Sequence, residues 1–153
     1  MRDRGEGLEA RGTAVLREIS GVRQDQDGVR RRWLQDEYFD LFVWTDRSGA
    51  LIAFQLAYDR NGDEHLLEWE RNRGYLHRRV DGSRGSAMGI GGTPLLVAGN
   101  RFRKYRVMSE FDMRSPTLDA PLREAVRRRL AAYVPARTRV PAWRRRSRHA
   151  HRL

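Results

Sequence analysis

Three runs of this chain, FDLFVW from Phe39, LIAFQLAY from Leu51 and HLLEWE from His65, place apolar residues on alternate positions. That period of two constrains the fold more than any other feature of the sequence, because successive side chains of a strand point to opposite faces. Turn-forming residues separate the runs. With Asp46 to Gly49 as the first turn, centred on Arg47-Ser48, Val43 faces Ile52, Leu41 faces Phe54 and Phe39 faces Leu56. Asn61-Gly62 suits a two-residue type I′ hairpin, whose central residues both need positive φ. It sets Tyr58 opposite His65, Leu56 opposite Leu67 and Phe54 opposite Trp69. Both turns send the same residues to one face, and a one-residue slip in either would break that agreement.

The other face carries Asp40, Gln55 and Glu68 side by side, ringed by Tyr38, Phe42, Trp44, Leu51, Ala53 and Ala57. An exposed sheet face ordinarily holds more charge and fewer aromatics, so this one is either roofed by a helix or forms a binding surface. Two helices remain to be placed, which favours the roof. A fourth strand over residues 74–81 has two registers open. One pairs Glu70 with Tyr75 and brings His77 beside Glu68, extending the row to Asp40, Gln55, Glu68 and His77. The other ends a three-residue loop at Gly74, sets Glu68 against Arg78 and moves His77 beside Trp69. A carboxylate-held histidine is the minimum for general-base work. Such a row is more commonly a satisfied polar ladder, and the chain has no nucleophile motif beside it.

Residues 13–20 read as a first strand, and residues 25–37 as at most a turn of helix capped by Asp25 or Asp27, with Trp33 and Leu34 under the sheet edge. The Gly-rich segment 82–92 lacks the lysine of a phosphate loop and the βαβ setting of a dinucleotide site, so it is a flexible connection. Residues 93–100 return to a short strand, and Asn100 is placed to cap a helix. In the next segment Phe102, Tyr105, Met108 and Phe111 recur near helical spacing, against a rival strand over 103–107. The last helix is plainer: Asp119 caps it, Pro121 fits its first turn, Leu122, Ala125, Val126, Leu130 and Tyr133 form one stripe, and Pro135 stops it.

The formal charge is +11, and seven arginines after Pro135, with no acid among them, supply +7 of it. Arg144, Arg145, Arg146 and Arg148, with Trp143 to stack on a base and Arg127 and Arg128 on the helix, would make a nucleic-acid surface. All basic residues but Lys104 are arginine, which fits compositional bias as well. The chain has no cysteine, hence no disulfide and no thiolate ligand or nucleophile. His149 and His151 alone do not make a metal site. No apolar run nears the ~18 residues of a membrane span, and the first residues lack a signal-peptide core.

The segments RRWLQDEYFDLFVW, FQLAYD and GYLHRRVDG, followed by TPLLVAG and a helix, resemble a family of small uncharacterised bacterial proteins. That family carries a Trp…Asp-x-Tyr-Phe-Asp-Leu-x-Val-Trp core, a Phe-Gln-Leu-x-Tyr-Asp strand and a Gly-aromatic-x-His-x-x-Val-Asp strand. The resemblance covers about residues 16–133 and implies no activity, substrate or site residue. The sequence thus predicts one α+β domain over residues 13–134. It is an antiparallel β-meander of at least four strands with one or two C-terminal helices packed on one face, between a flexible N-terminus (1–12) and a flexible Arg-rich tail (135–153). The expected role is that of a small cytoplasmic, non-catalytic binding protein without cofactor or metal. Its partner would be a protein or small molecule, held by Asp40, Gln55, Glu68, His77 and Trp44. RNA binding through the tail, and an enzyme using His77 with Glu68 or Asp40, are the alternatives.

Overall fold

The computed structural model describes residues 14–80, 96–98 and 102–135. The Gly-rich segment 82–92, Asn100, Trp143, Arg144, Arg145, Arg146, Arg148, His149 and His151 lie outside the described residues. Six strands follow one another as an antiparallel meander: β1 (Arg17–Ile19), β2 (Arg30–Gln35), β3 (Phe39–Thr45), β4 (Leu51–Tyr58), β5 (His65–Glu70) and β6 (Gly74–Val80). A short seventh, β7 (Leu96–Ala98), pairs with β6, and two helices, α1 (Lys104–Arg114) and α2 (Ala120–Ala132), complete an α+β fold.

Both helices pack on the apolar face. Phe39, Leu41, Val43, Phe54, Leu56, Leu67 and Trp69 share one core with Val107, Phe111, Leu122, Val126 and Leu130. The ring of Phe111 meets Phe39 edge-on at 6.3 Å, and the Arg129 guanidinium lies 4.2 Å over Trp69. The expected roof over the polar face is therefore corrected: the helices' apolar stripes gain most by covering the face with the most apolar area to remove from water. In α2, Asp119 caps the Leu122 amide at 3.4 Å and the stripe from Leu122 to Leu130 is buried, as its spacing predicts. In α1 the helical alternative holds, but its buried pair is Val107 and Phe111, four apart, while Tyr105 is 89% exposed. Phe102 is buried just ahead of the helix.

Residues 30–35, expected as helix at most, form β2. Their period of two is hidden by arginine, whose stem can pack while its head finds acids. Leu34 is buried on the helix side, and Arg32 on that side reaches Glu18 and Asp119, each at 2.8 Å. Trp33 points the other way and stacks on Phe42 with ring centres 5.3 Å apart.

The first hairpin keeps the predicted faces from Phe39 to Val43 and from Phe54 to Tyr58 but not the predicted partners, and Tyr38 and Leu51, expected on the other face, join the helix-side core. Leu41 faces Leu56, Val43 faces Phe54 and Phe39 faces Tyr58, two residues from expectation. One residue of the shift comes from the turn, which holds Arg47, Ser48 and Gly49. Gly49 takes φ +84°, a conformation open to glycine, and Asp46 accepts from the Ser48 and Ala50 amides at 3.0 Å each. The second comes from a bulge: Thr45 pairs with Leu51 and Trp44 with Ala53, leaving Ile52 without a partner on β3. Either insertion alone would turn Phe54 outward. Together they cancel, and the Phe54 side chain stays in the core.

The second hairpin has the predicted register, Tyr58 with His65, Leu56 with Leu67 and Phe54 with Trp69. Its turn is not the two-residue type I′ turn. The loop is longer, and the positive φ of +56° falls on Asp59 instead of Asn61 or Gly62. Because the loop is symmetric about the same centre, the pairing is unchanged. In the third hairpin neither open register occurs. Gly74, at φ +79°, pairs with Glu70, so Leu76 faces Glu68 and His77 faces Leu67.

Candidate functional site

The outward face of the sheet is divided in two. Toward one end Asp40, Phe42, Ala57, Leu66 and Val80 are buried; toward the other Trp44, Gln55, Glu68 and Arg78 are half-buried and Leu76 is 45% exposed. The two-residue shift of the first hairpin separates residues expected as neighbours. Asp40 stands opposite Ala57, and Gln55 opposite Phe42 and Glu68. What the sheet assembles is a row of Gln55, Glu68 and Arg78. The Gln55 amide donates to Glu68 at 2.7 Å, and Arg78 reaches the other oxygen of the same carboxylate at 3.2 Å. The row floors a groove of about 840 Å³ whose walls include Trp44, Ala53, Glu70, Arg71 and Leu76.

Beside the groove Trp33, Phe42 and Trp44 form an aromatic strip, with the Arg31 guanidinium 4.6 Å above Phe42 and 5.6 Å above Trp44. Asp40 accepts a hydrogen bond from the Trp33 indole. Burial pushes its carboxyl above the ordinary value, against the pull of that N–H and of Arg60. Glu64 is raised as well, by burial first and by the Asp40 charge last, with Arg60 opposing. A raised carboxyl destabilises the fold at any pH above its folded value, because the charged form is then imposed in a poorly solvated place. Asp40→Asn keeps the acceptor for Trp33 and removes the charge. It should gain about 1 kcal/mol at pH 7, a gain that shrinks as acidification toward the ordinary aspartate range protonates the native Asp40. Urea unfolding of both proteins at pH 7 and pH 4 measures it; equal midpoints at pH 7 would refute the assignment.

His77 lies on the opposite side of the sheet from Glu68 and Asp40, which corrects the proposed row and the acid–histidine pairing built on it. On the helix side its Nε2 is 2.7 Å from the Tyr58 hydroxyl, and its ring stacks on those of Tyr58 and His65 at 6.0 and 5.3 Å. Phe102 and Tyr133 close over it. Burial, with the neighbouring His65, lowers its pKa to about 4, while burial raises that of Tyr58. The neutral pair is a packed hydrogen bond, unsuited to proton transfer near neutral pH. A depressed histidine stabilises the fold fully above about pH 6.5, and the contribution fades as pH falls toward 4. Discounted for the ring's partial exposure, it amounts to roughly 1–2 kcal/mol. His77→Gln should flatten the stability profile between these pH values; an unchanged slope in urea titrations would count against it.

Arg127 is bound by Asp112 at 2.8 and 3.3 Å, and Arg128 lies 3.8 Å from Glu124. Trp44, Gln55 and Glu68 are thus the expected site residues that meet. Arg31, Trp33 and Arg78 join this face without having been foreseen as part of a site, beside Phe42, which the alternation had placed there. Only the alternation within 30–35 and within 74–80 could have signalled them. Comparison of the chain with protein-family models, with curated proteins and with solved structures found no match. Among the described residues no group of three or more potential ligands could hold a metal, and no helix is long and apolar enough to cross a membrane.

Proposed function

We propose that the chain is a non-catalytic, cytoplasmic binding protein that presents the groove over Gln55, Glu68 and Arg78 to a partner protein. The observation that carries this reading is the placement of both helices on the far face, which leaves Trp44 half-exposed and Leu76 45% exposed beside a polar floor. Tryptophan and arginine next to apolar area are the side chains that anchor protein interfaces. Gln55 and Glu68 already bond one another, so the floor is held in place before a partner arrives.

The test is affinity capture with the full chain, followed by measurement of the recovered partner's Kd. Trp44→Ala and Glu68→Arg are expected to weaken it by at least about tenfold, and Arg128→Ala, on the opposite side of the molecule, to leave it unchanged. A partner indifferent to both groove variants would dispose of the reading, and fractionation of the expressing cells checks the location.

A further inference from the structure

A second cavity, of about 290 Å³, opens on the helix side of the sheet, away from the groove, and Tyr58, His65, Arg79, Arg103 and Arg106 line it. That volume is near the lower end for small-molecule pockets. Two acids also face it, but both are engaged. Asp63 holds Arg79 at 2.8 Å, and Asp59 accepts the Asp63 amide of its own loop at 3.3 Å. Arg103 and Arg106 have no acidic partner within 4.0 Å among the described residues. They stand at the N-cap and in the first turn of α1, an end with no acidic residue in its first turn and no side-chain cap. The positive end of the helix and two guanidinium groups therefore act on the same space, where Asp63 is matched by Arg79 and the Asp59 carboxylate alone opposes them.

His65 adds an observation of a different kind. Its side chain is 8% exposed, and its Nδ1 lies 2.7 Å from the carbonyl oxygen of Asp63. A carbonyl only accepts, so Nδ1 carries a proton, and in the neutral ring Nε2 then presents a lone pair. That nitrogen has no hydrogen-bond partner among the described residues, although the ring lines the cavity. The cavity thus offers guanidinium donors for negative oxygens together with acceptors on His65 and the two acids, and an anion without a hydrogen to give would leave those acceptors facing its own oxygens.

We propose that the cavity formed by His65, Arg79, Arg103 and Arg106 binds a small oxyanion that carries a hydroxyl group, the chemistry shared by hydrogenphosphate and sugar phosphates. The site is separate from the groove, and its success or failure leaves the proposed partner surface untouched.

The test titrates the isotope-labelled full chain at pH 7.5 and constant ionic strength with sodium phosphate, ribose 5-phosphate or sodium sulfate, following amide and histidine ring signals. Phosphate is expected to shift the His65 ring and the amides of 103–107 with a Kd at least about tenfold below that for sulfate, which has no hydroxyl. Tighter binding of ribose 5-phosphate than of phosphate assigns the site to a phosphorylated metabolite, and the reverse order assigns it to inorganic phosphate. The exposed pair Arg103→Ala/Arg106→Ala should weaken either by at least about tenfold, and His65→Phe should abolish the preference over sulfate. Should the phenylalanine variant fail to fold, the arginine pair and the sulfate comparison decide alone. Equal binding of phosphate and sulfate, shifts confined to other segments, or full affinity in the arginine pair would overturn the proposal.

Discussion

Phe54→Ala is expected to lower the unfolding free energy by about 4 kcal/mol, whereas deletion of Ile52, only two positions away, should cost about 1 kcal/mol or less. Phe54 is fully buried, pairs with Val43 and Trp69 across two strands, and stacks on Trp69 with ring centres 6.1 Å apart. Its truncation removes apolar area from the centre of the core and leaves a void that the surrounding strands cannot close. Ile52 is the bulge residue without a partner on β3, so its deletion costs the bond its carbonyl accepts from the Arg71 amide at 2.9 Å, but Leu51 still meets Thr45 and Ala53 still meets Trp44. The deletion regularises the hairpin while every core pair survives. Urea unfolding of the two variants measures both quantities. A deletion as damaging as the truncation would mean that the core pairs do not survive removal of the bulge.

Arg114→Ala should cost about 3 kcal/mol, measured in the same way. Arg114 ends α1 and reaches back to the turn before β3, with Asp36 at 3.0 Å and Glu110 at 2.7 Å. The Asp36 side chain is only 3% exposed, and its other oxygen accepts the Tyr38 and Phe39 amides at 2.8 and 2.6 Å. The turn therefore depends on a buried carboxylate whose countercharge comes from a helix 78 residues later in the chain. Loss of the guanidinium leaves that charge uncompensated in a place water hardly reaches. The Arg114 head also lies 5.1 Å from the Tyr38 ring, so the truncation removes packing as well. A loss below about 1 kcal/mol would class the contact with ordinary surface ion pairs.

The two variants separate kinds of information. The burial of Phe54 is legible in the sequence, because alternation through LIAFQLAY and HLLEWE needs only the geometry of a strand. The same is true of α2, whose cap, first-turn proline and apolar stripe are all local. β2 was missed because arginine masks its alternation: Arg30, Arg31 and Arg32 look alike in sequence, yet Arg32 turns toward Glu18 and Asp119 while Arg31 lies over Phe42 and Trp44. Of the expected binding residues, Gln55 and Glu68 come together because the second hairpin is symmetric about its predicted centre. Asp40 is displaced by a turn glycine and a bulge, neither of which the hydrophobic pattern reveals.

His77 shows the limit most plainly. A single residue of loop length decides which face it joins, and Gly74 at φ +79° settles that on the helix side, beside Tyr58 and His65. The sequence by itself determined the meander, the inward set from Phe39 to Trp69 and the final helix, since these follow from the period and caps of contiguous residues. Only the tertiary structure decided which face the helices cover, which polar groups meet across strands, and that Arg103 and Arg106 come to share a cavity with His65. Those outcomes depend on sums of small loop insertions and on contacts between residues far apart in the chain, and no local pattern encodes such sums.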